Sequence, residues 1–234
     1  MAFGFEVHNA TDNLVIDNTY QNLSLQVKQD FALPAGGLTT VTATNCVAPM
    51  LCVNATDYVG MYGLSVSGST YTWKLKASAA SSGSFYVFDF PHAAHSASFG
   101  MKVLAADGVT EVFNSDNKYF RVETILDVPW SAAFNGPAST FVVTGPTASV
   151  GGLQEAKYAV CLSQPRVNTS YLGNNNYRRT FDGMKTTATF AAVSQAITVD
   201  FNSGIPGSGG DHPGIFDGVG SGTKPALIVN VEGL

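Results

Sequence analysis

The side chains with which this chain could do chemistry are few and scattered. His92 and His95 stand in a Pro-His-Ala-Ala-His segment. Two imidazoles three residues apart can share a metal on a helix or turn. Asp89 is near, but no cysteine or acidic cluster surrounds them in sequence. A plain loop is the simpler reading, and a shared ion would need an oligomer axis to complete it. Asp211-His212-Pro213-Gly214 lies in a glycine-rich stretch and reads first as turn chemistry, with an acid/His contact to a receptor as the functional alternative. The glycines of 204–222 form no GxxxxGK[ST] pattern, so no phosphate cradle is expected. Gly220-Ser-Gly222 lacks the flanking spacing of a nucleophile elbow. The chain has 5 Glu and 12 Asp, and several acids, such as Asp12, Asp107, Asp116 and Asp182, sit at apparent turns. A glycosidase carboxylate pair is not evident among them. Cys46, Cys52 and Cys161 cannot all pair with one another. A Cys46–Cys52 disulfide suits an oxidising setting, but buried free thiols are the ordinary reading, and Cys161 in Tyr158-Ala-Val-Cys-Leu162 looks inert. No enzyme activity, metal or cofactor is expected.

Composition explains why so little chemistry shows. Charged residues make up 12% of the 234, about half the ~25% of an average soluble protein. Polarity comes instead from 21 Thr, 20 Ser and 15 Asn. With 45% hydrophobic residues a core can form, and disorder is excluded. Net charge is −5, and Arg178-Arg179 is the only adjacent basic pair. Neutralising many phosphates would need a basic stripe, so nucleic acid is not an expected partner. There is no basic n-region at the start and no long apolar run, so neither a signal peptide nor membrane insertion is expected. Synthesis in the cytoplasm follows.

The elements that would position these residues are strands. Phe3, Phe5 and Val7 alternate with Gly4, Glu6 and His8, the period of a strand with one buried face. Asp12-Asn13 supplies turn chemistry, and Leu14–Asp17 returns. Leu23, Leu25 and Val27 alternate again. Further strands are expected at 39–45, 58–66, 70–77, 85–90, 140–144, 157–163, 186–192, 196–201 and 226–231. Tyr71, Trp73 and Leu75 should share a face, and strand aromatics such as Phe85, Tyr86 and Phe88 are core rather than a sugar platform. Ala77–Ser84 reads as a loop, as does 165–183, which carries Asn174, Asn175 and Asn176. The 203–223 stretch is longer and dominated by glycine. Long loops in compact domains are usually functional or disordered, which makes both stretches candidate host-contact tips.

One repeat organises the first half. Phe99-Gly-Met-Lys-Val103 matches Phe3-Gly-Phe-Glu-Val7 at an offset of 96. Ala106 matches Ala10, and Asp107-Gly108 takes the turn position of Thr11-Asp12. With one inserted residue, Val112–Ser115 matches Val15–Asn18. The same hairpin is therefore expected twice, at about 3–27 and 99–122, with Asp107-Gly108 favouring a type I′ turn. Gly4, Val7, Asn9, Asp12, Gly100, Val103, Asp107 and Gly108 are its motif positions.

The pattern Phe3-Gly-x-x-Val-x-Asn-Ala-x-Asx-x-Leu-Val-x-Asp, its second copy and Lys157-Tyr-Ala-Val160 resemble a group of small tail proteins of siphophages. The resemblance spans about residues 3–163. The first turn differs, with Asp12-Asn13 where the group more usually has Asp-Gly or Ser-Gly. The resemblance implies a virion component of the distal tail, at the tail tip or a tail fibre. Its partners would be other tail proteins such as the central fibre, further copies of itself (a homotrimer first, by analogy with threefold fibres), and a host surface glycan or protein. A carbohydrate-binding β-sandwich and a capsid or decoration protein are the alternatives. The fold expected is all-β: antiparallel sandwich units built from hairpins, at 1–127 and 128–234. Two similar halves meeting near residue 95 are the other division.

Overall fold

In the strand Thr70–Ala77, Trp73, Leu75 and Ala77 are buried while the residues between them are half-exposed. That two-residue period gives a strand one inward face, and it recurs across a chain made of antiparallel sheets. The computed structural model describes residues 6–8, 14–17, 22–91, 100–130, 140–144, 158–162, 167–173, 176–186, 190–202 and 222–234. These contain seventeen strands: β1 (Glu6–His8), β2 (Leu14–Asp17), β3 (Ser24–Leu33), β4 (Leu38–Ala43), β5 (Met50–Ala55), β6 (Val59–Ser67), β7 (Thr70–Ala77), β8 (Ser81–Asp89), β9 (Lys102–Leu104), β10 (Glu111–Asn114), β11 (Val122–Trp130), β12 (Thr140–Thr144), β13 (Tyr158–Leu162), β14 (Val167–Gly173), β15 (Asn176–Thr186), β16 (Phe190–Asn202) and β17 (Gly222–Asn230). Among the described residues there is no helix, and so none long and apolar enough to cross a membrane.

A six-stranded sheet runs β11-β17-β13-β5-β8-β3 and a seven-stranded sheet runs β12-β16-β15-β6-β7-β4, with β14 also beside β15. One core cluster holds the facing sides of both, with Val41, Met61, Trp73 and Leu75 from one sheet and Val53, Phe85, Val87, Val160 and Ile228 from the other. The all-β sandwich expected from the sequence is what the chain forms. β6 and β7 are joined through Ser67↔Thr70 by Gly68-Ser69. Gly68 has φ +58 and Ser69 does not have positive φ, as a type II′ hairpin turn requires.

The six-stranded sheet is buried on its outer side as well. Cys52, Tyr86, Phe88, Ala159, Cys161 and Val229 form a second cluster there, packed by Leu23, Phe120 and Leu234. All five residues of β13 are buried, as is Phe85–Asp89 of β8. Strands buried on both faces read as continuous apolar runs rather than alternations. That is why β5, Met-Leu-Cys-Val-Asn-Ala, escapes an alternation-based reading although it lies mid-sheet.

Several boundaries differ from expectation. The division at residue 127 does not coincide with a division of the sheets: β13 pairs with β5, and β15 with β6. Pairing across 127 buries the apolar runs of both halves in one core. The 165–183 stretch is not a loop but most of the β14–β15 hairpin, held in register from Val167↔Phe181 to Gly173↔Asn176. Its Asn, Thr and Arg residues hide a strand whose backbone ladder does the pairing. β8 begins at Ser81, inside the loop expected at 77–84. The strand expected at 186–192 is divided between the end of β15 and the start of β16.

Phe85 is fully buried and stacks on Phe31 at 4.2 Å between centroids. Phe85→Ala should cost ~3–5 kcal/mol of stability. Ile125→Ala, at a position 58% exposed on the edge strand β11, should stay within ~0.5 kcal/mol. Urea unfolding of the two variants checks the contrast.

Candidate functional site

The repeated hairpin is a real structural unit, and its two copies share one register. β1 and β2 pair Glu6↔Asp17, Val7↔Ile16 and His8↔Leu14. β9 and β10 pair Lys102↔Asn114, Val103↔Phe113 and Leu104↔Glu111. Each first-strand residue maps to its counterpart at the offset of 96 read from the sequence, and each second-strand residue is one further along. The extra residue therefore sits in the second turn. Each copy is a separate two-stranded sheet outside both large ones.

The second turn is not the type I′ turn that Asp-Gly favours. Type I′ needs positive φ at both central residues, and here Gly108 (φ +71) has it while Asp107 does not. Gly108 N–H donates to the Ala105 carbonyl at 2.9 Å, and Ala105 N–H to the Thr110 carbonyl at 2.8 Å. This longer loop, with one left-handed glycine, accommodates the inserted residue. Asp107 closes it as a side-chain turn. Its carboxylate accepts the Val109 and Thr110 N–H groups, both at 2.9 Å, and the Thr110 hydroxyl. The Thr110 hydroxyl first, then the two backbone donors, holds the Asp107 pKa below the usual carboxylate value.

Tyr119 anchors the hairpin to the body. Its hydroxyl accepts Asn114 N–H and donates to the Asn114 carbonyl at 3.0 Å, and its ring stacks on Phe113 at 5.2 Å. Burial pushes the phenol pKa up. Lys102 and Glu111 form an ion pair across the strands at 2.8 Å. Tyr119 itself bridges to Ser24, flanked by Leu25 N–H on the Lys118 carbonyl and Phe120 N–H on the Leu23 carbonyl. Phe120 packs edge-on against Phe88 at 5.0 Å. The segments leaving the two repeats thus pair with each other. Met101, Leu104 and Val109 leave apolar surface on the hairpin exposed, and Val109 is 82% exposed.

The other expected positions distribute as follows. Val7 lies in β1, Val103 is half-buried in β9, and Gly100 precedes that strand. Asn176 opens β15 opposite Gly173 and Asn202. Gly4, Asn9, Asp12, His92, His95, Asn174, Asn175, Asp211 and His212 lie outside the described residues. Among the described residues no group of three His, Cys, Asp or Glu side chains comes together as a metal site.

Phe85, Tyr86, Phe88 and Trp73 are buried core, as expected of strand aromatics. The cysteines are free and buried. Burial, then the charge of Asp89 and a hydrogen bond to it, pushes the Cys46 thiol up to about 11. Cys52 lies directly opposite Cys161, in register. A cavity of 180 Å³ opens between the sheets, lined by Met50, Met61, Leu64, Trp73, Cys161 and Met184 among others. That lining is apolar and brings no acid–base pair together. Sequence reasoning missed Tyr119 as an anchor and the Cys52–Cys161 pairing. The stacking partner Phe113 lies six residues from Tyr119, but the thiol pairing leaves no local signal. No protein-family model, curated protein or solved structure matches this chain.

Two outcomes follow for the hairpin. A carboxyl with a depressed folded pKa stabilises above its unfolded value of ~3.9 and loses that contribution as pH falls through the folded value. Protection of the Val109 and Thr110 amides, taken relative to unstructured-peptide exchange at the same pH, should therefore be lost only below about pH 4. Tyr119→Phe removes the acceptor of the Asn114 N–H, at a cost of ~1–3 kcal/mol, while the Asn114 carbonyl keeps the Asn117 N–H. Hydrogen exchange across 102–114 should rise while that of β5 and β13 is unchanged.

Proposed function

We propose that the chain is a structural, non-enzymatic component of a phage tail's distal end, at the tail tip or as a tail-fibre accessory. The observation that carries this reading is the pair of hairpins built in one register, each a two-stranded sheet outside the two large ones. A motif repeated as an external hairpin is suited to making the same contact twice. Its sequence is also where the resemblance to siphophage tail proteins is strongest. Apolar side chains on the second hairpin and a surface poor in charge fit packing against other subunits.

Assembly is then the mechanism. The hairpins bury Met101, Leu104 and Val109 against further copies or against the central fibre, with a homotrimer as the first expectation. Asn174, Asn175, Asn176, Asp211 and His212 are the residues expected to meet a host glycan or protein. The protein is made in the host cytoplasm and carried out in the virion.

Deletion of the gene should give particles with defective tail ends or reduced adsorption, and immunogold should label the distal tail. Intact tails with unchanged adsorption would overturn the reading. Label on the head would favour a capsid or decoration protein, and glycan binding by the isolated chain without any virion role a carbohydrate module. Val109→Asp should leave the melting temperature unchanged yet reduce incorporation into particles several-fold, measured by quantitative blotting of purified virions.

A further inference from the structure

Cys52 in β5 and Cys161 in β13 are direct partners across an antiparallel ladder. Partners of this kind have Cα atoms ~4.5 or ~5.5 Å apart, depending on their place in the ladder. A disulfide spans Cα separations of ~4.4–6.8 Å, so either place is within reach. Both side chains lie on the outer face of the six-stranded sheet, in the cluster with Tyr86, Phe88 and Val229. Cys46 is elsewhere, against Asp89.

Both thiols are buried, so a small oxidant reaches them through local opening of the outer cover, to which Leu23, Phe120 and Leu234 contribute.

We propose that Cys52 and Cys161 form a modification site, a latent cross-strand disulfide that a small peroxide oxidant closes. One thiol loses its proton and attacks a peroxide oxygen, so the O–O bond breaks. It becomes a sulfenic acid, and the departing hydroxide takes up the proton as water. The second sulfur then attacks the sulfenic sulfur. The S–S bond forms, the S–O bond breaks, and hydroxide leaves with the second thiol's proton as another water. The two thiols give up two electrons and the peroxide is reduced to two waters.

Burial, together with the Cys161 hydrogen bond and charge, raises the Cys52 thiol pKa well above its ordinary value. The thiolate is the nucleophile. Closure is therefore slow at neutral pH and quickens as pH rises. A reducing cytoplasm leaves the pair open, and an oxidising exterior closes it. The closed bond would join strands from opposite sides of residue 127 in the middle of the sheet. The site stands independently of the tail assignment.

The test uses the full chain, purified under reducing conditions and then exposed to hydrogen peroxide at neutral and at alkaline pH. Alkylation under denaturing conditions followed by mass mapping should find free thiols reduced from three to one. The one remaining should be Cys46, with Cys52 and Cys161 peptides joined and the joining faster at the higher pH. The melting temperature should rise by roughly 10 °C, because the bond closes a loop of ~110 residues. Cys46→Ala should close in the same way, and Cys52→Ser should show no oxidant-dependent rise. Three surviving thiols, a link that includes Cys46, or sulfinic acid without any link would each overturn the proposal. If Cys52→Ser does not fold, the mapping on the unaltered chain still decides.

Discussion

The centre of the six-stranded sheet is buried on both faces, and the rest of the molecule is arranged to keep it so. β8, β5, β13 and β17 present Phe85, Val53, Val160 and Ile228 to the facing sheet. The same strands present Phe88, Cys52, Ala159 and Val229 outward. A sheet with apolar residues on both sides needs two covers. The seven-stranded sheet is one. Leu23, Phe120 and Leu234, on segments bordering the strands, contribute to the other. Hydrophobic burial of this kind is non-directional and scales with area, so the covers need not be regular, and the outer one is not.

Polar groups trapped by this arrangement are used as fasteners. Thr186 at the end of β15 accepts the Ala55 N–H at 3.2 Å and the Asn54 amide at 3.1 Å. The same Asn54 amide donates to the Tyr158 carbonyl at 2.7 Å. One cluster thus ties the two sheets together and ties β5 to β13. Asp89, fully buried at the end of β8, accepts the N–H groups of Val47 and Ala48 at 2.7 and 2.9 Å. These donors lie in the connection between β4 and β5, where the chain passes from one sheet to the other.

The hairpins stand apart from this economy. Each is held mainly by its own ladder, and the second is linked to the body through Tyr119 and the 118–121 segment. A two-stranded hairpin is marginal alone in water. Docking by one stacked and hydrogen-bonded phenol leaves Met101, Leu104 and Val109 outside. The proposed assembly role draws on this division, with a body stabilised by double-sided burial and appendages left to pair elsewhere.

Much of the local structure was legible in the residues. Strands were expected where β4, β6 and β7 lie, Tyr71, Trp73 and Leu75 marked one face of β7, and the spacing of the repeat foretold both hairpins down to the inserted residue. These features are local, and a strand's period or a turn's chemistry is written in neighbouring positions. β5 and β14 were hidden for opposite reasons, one apolar on both faces and the other polar along its length. The turn type at Asp107 was misread because the dipeptide preference is weaker than the length of the loop. Sequence by itself determined the strand class, the repeated hairpin and the want of charge. Only the tertiary structure decided that β5 meets β13, that both large sheets draw strands from either side of residue 127, and that Cys52 faces Cys161. Such pairings join residues some hundred positions apart, and they are selected by which apolar faces can be buried together.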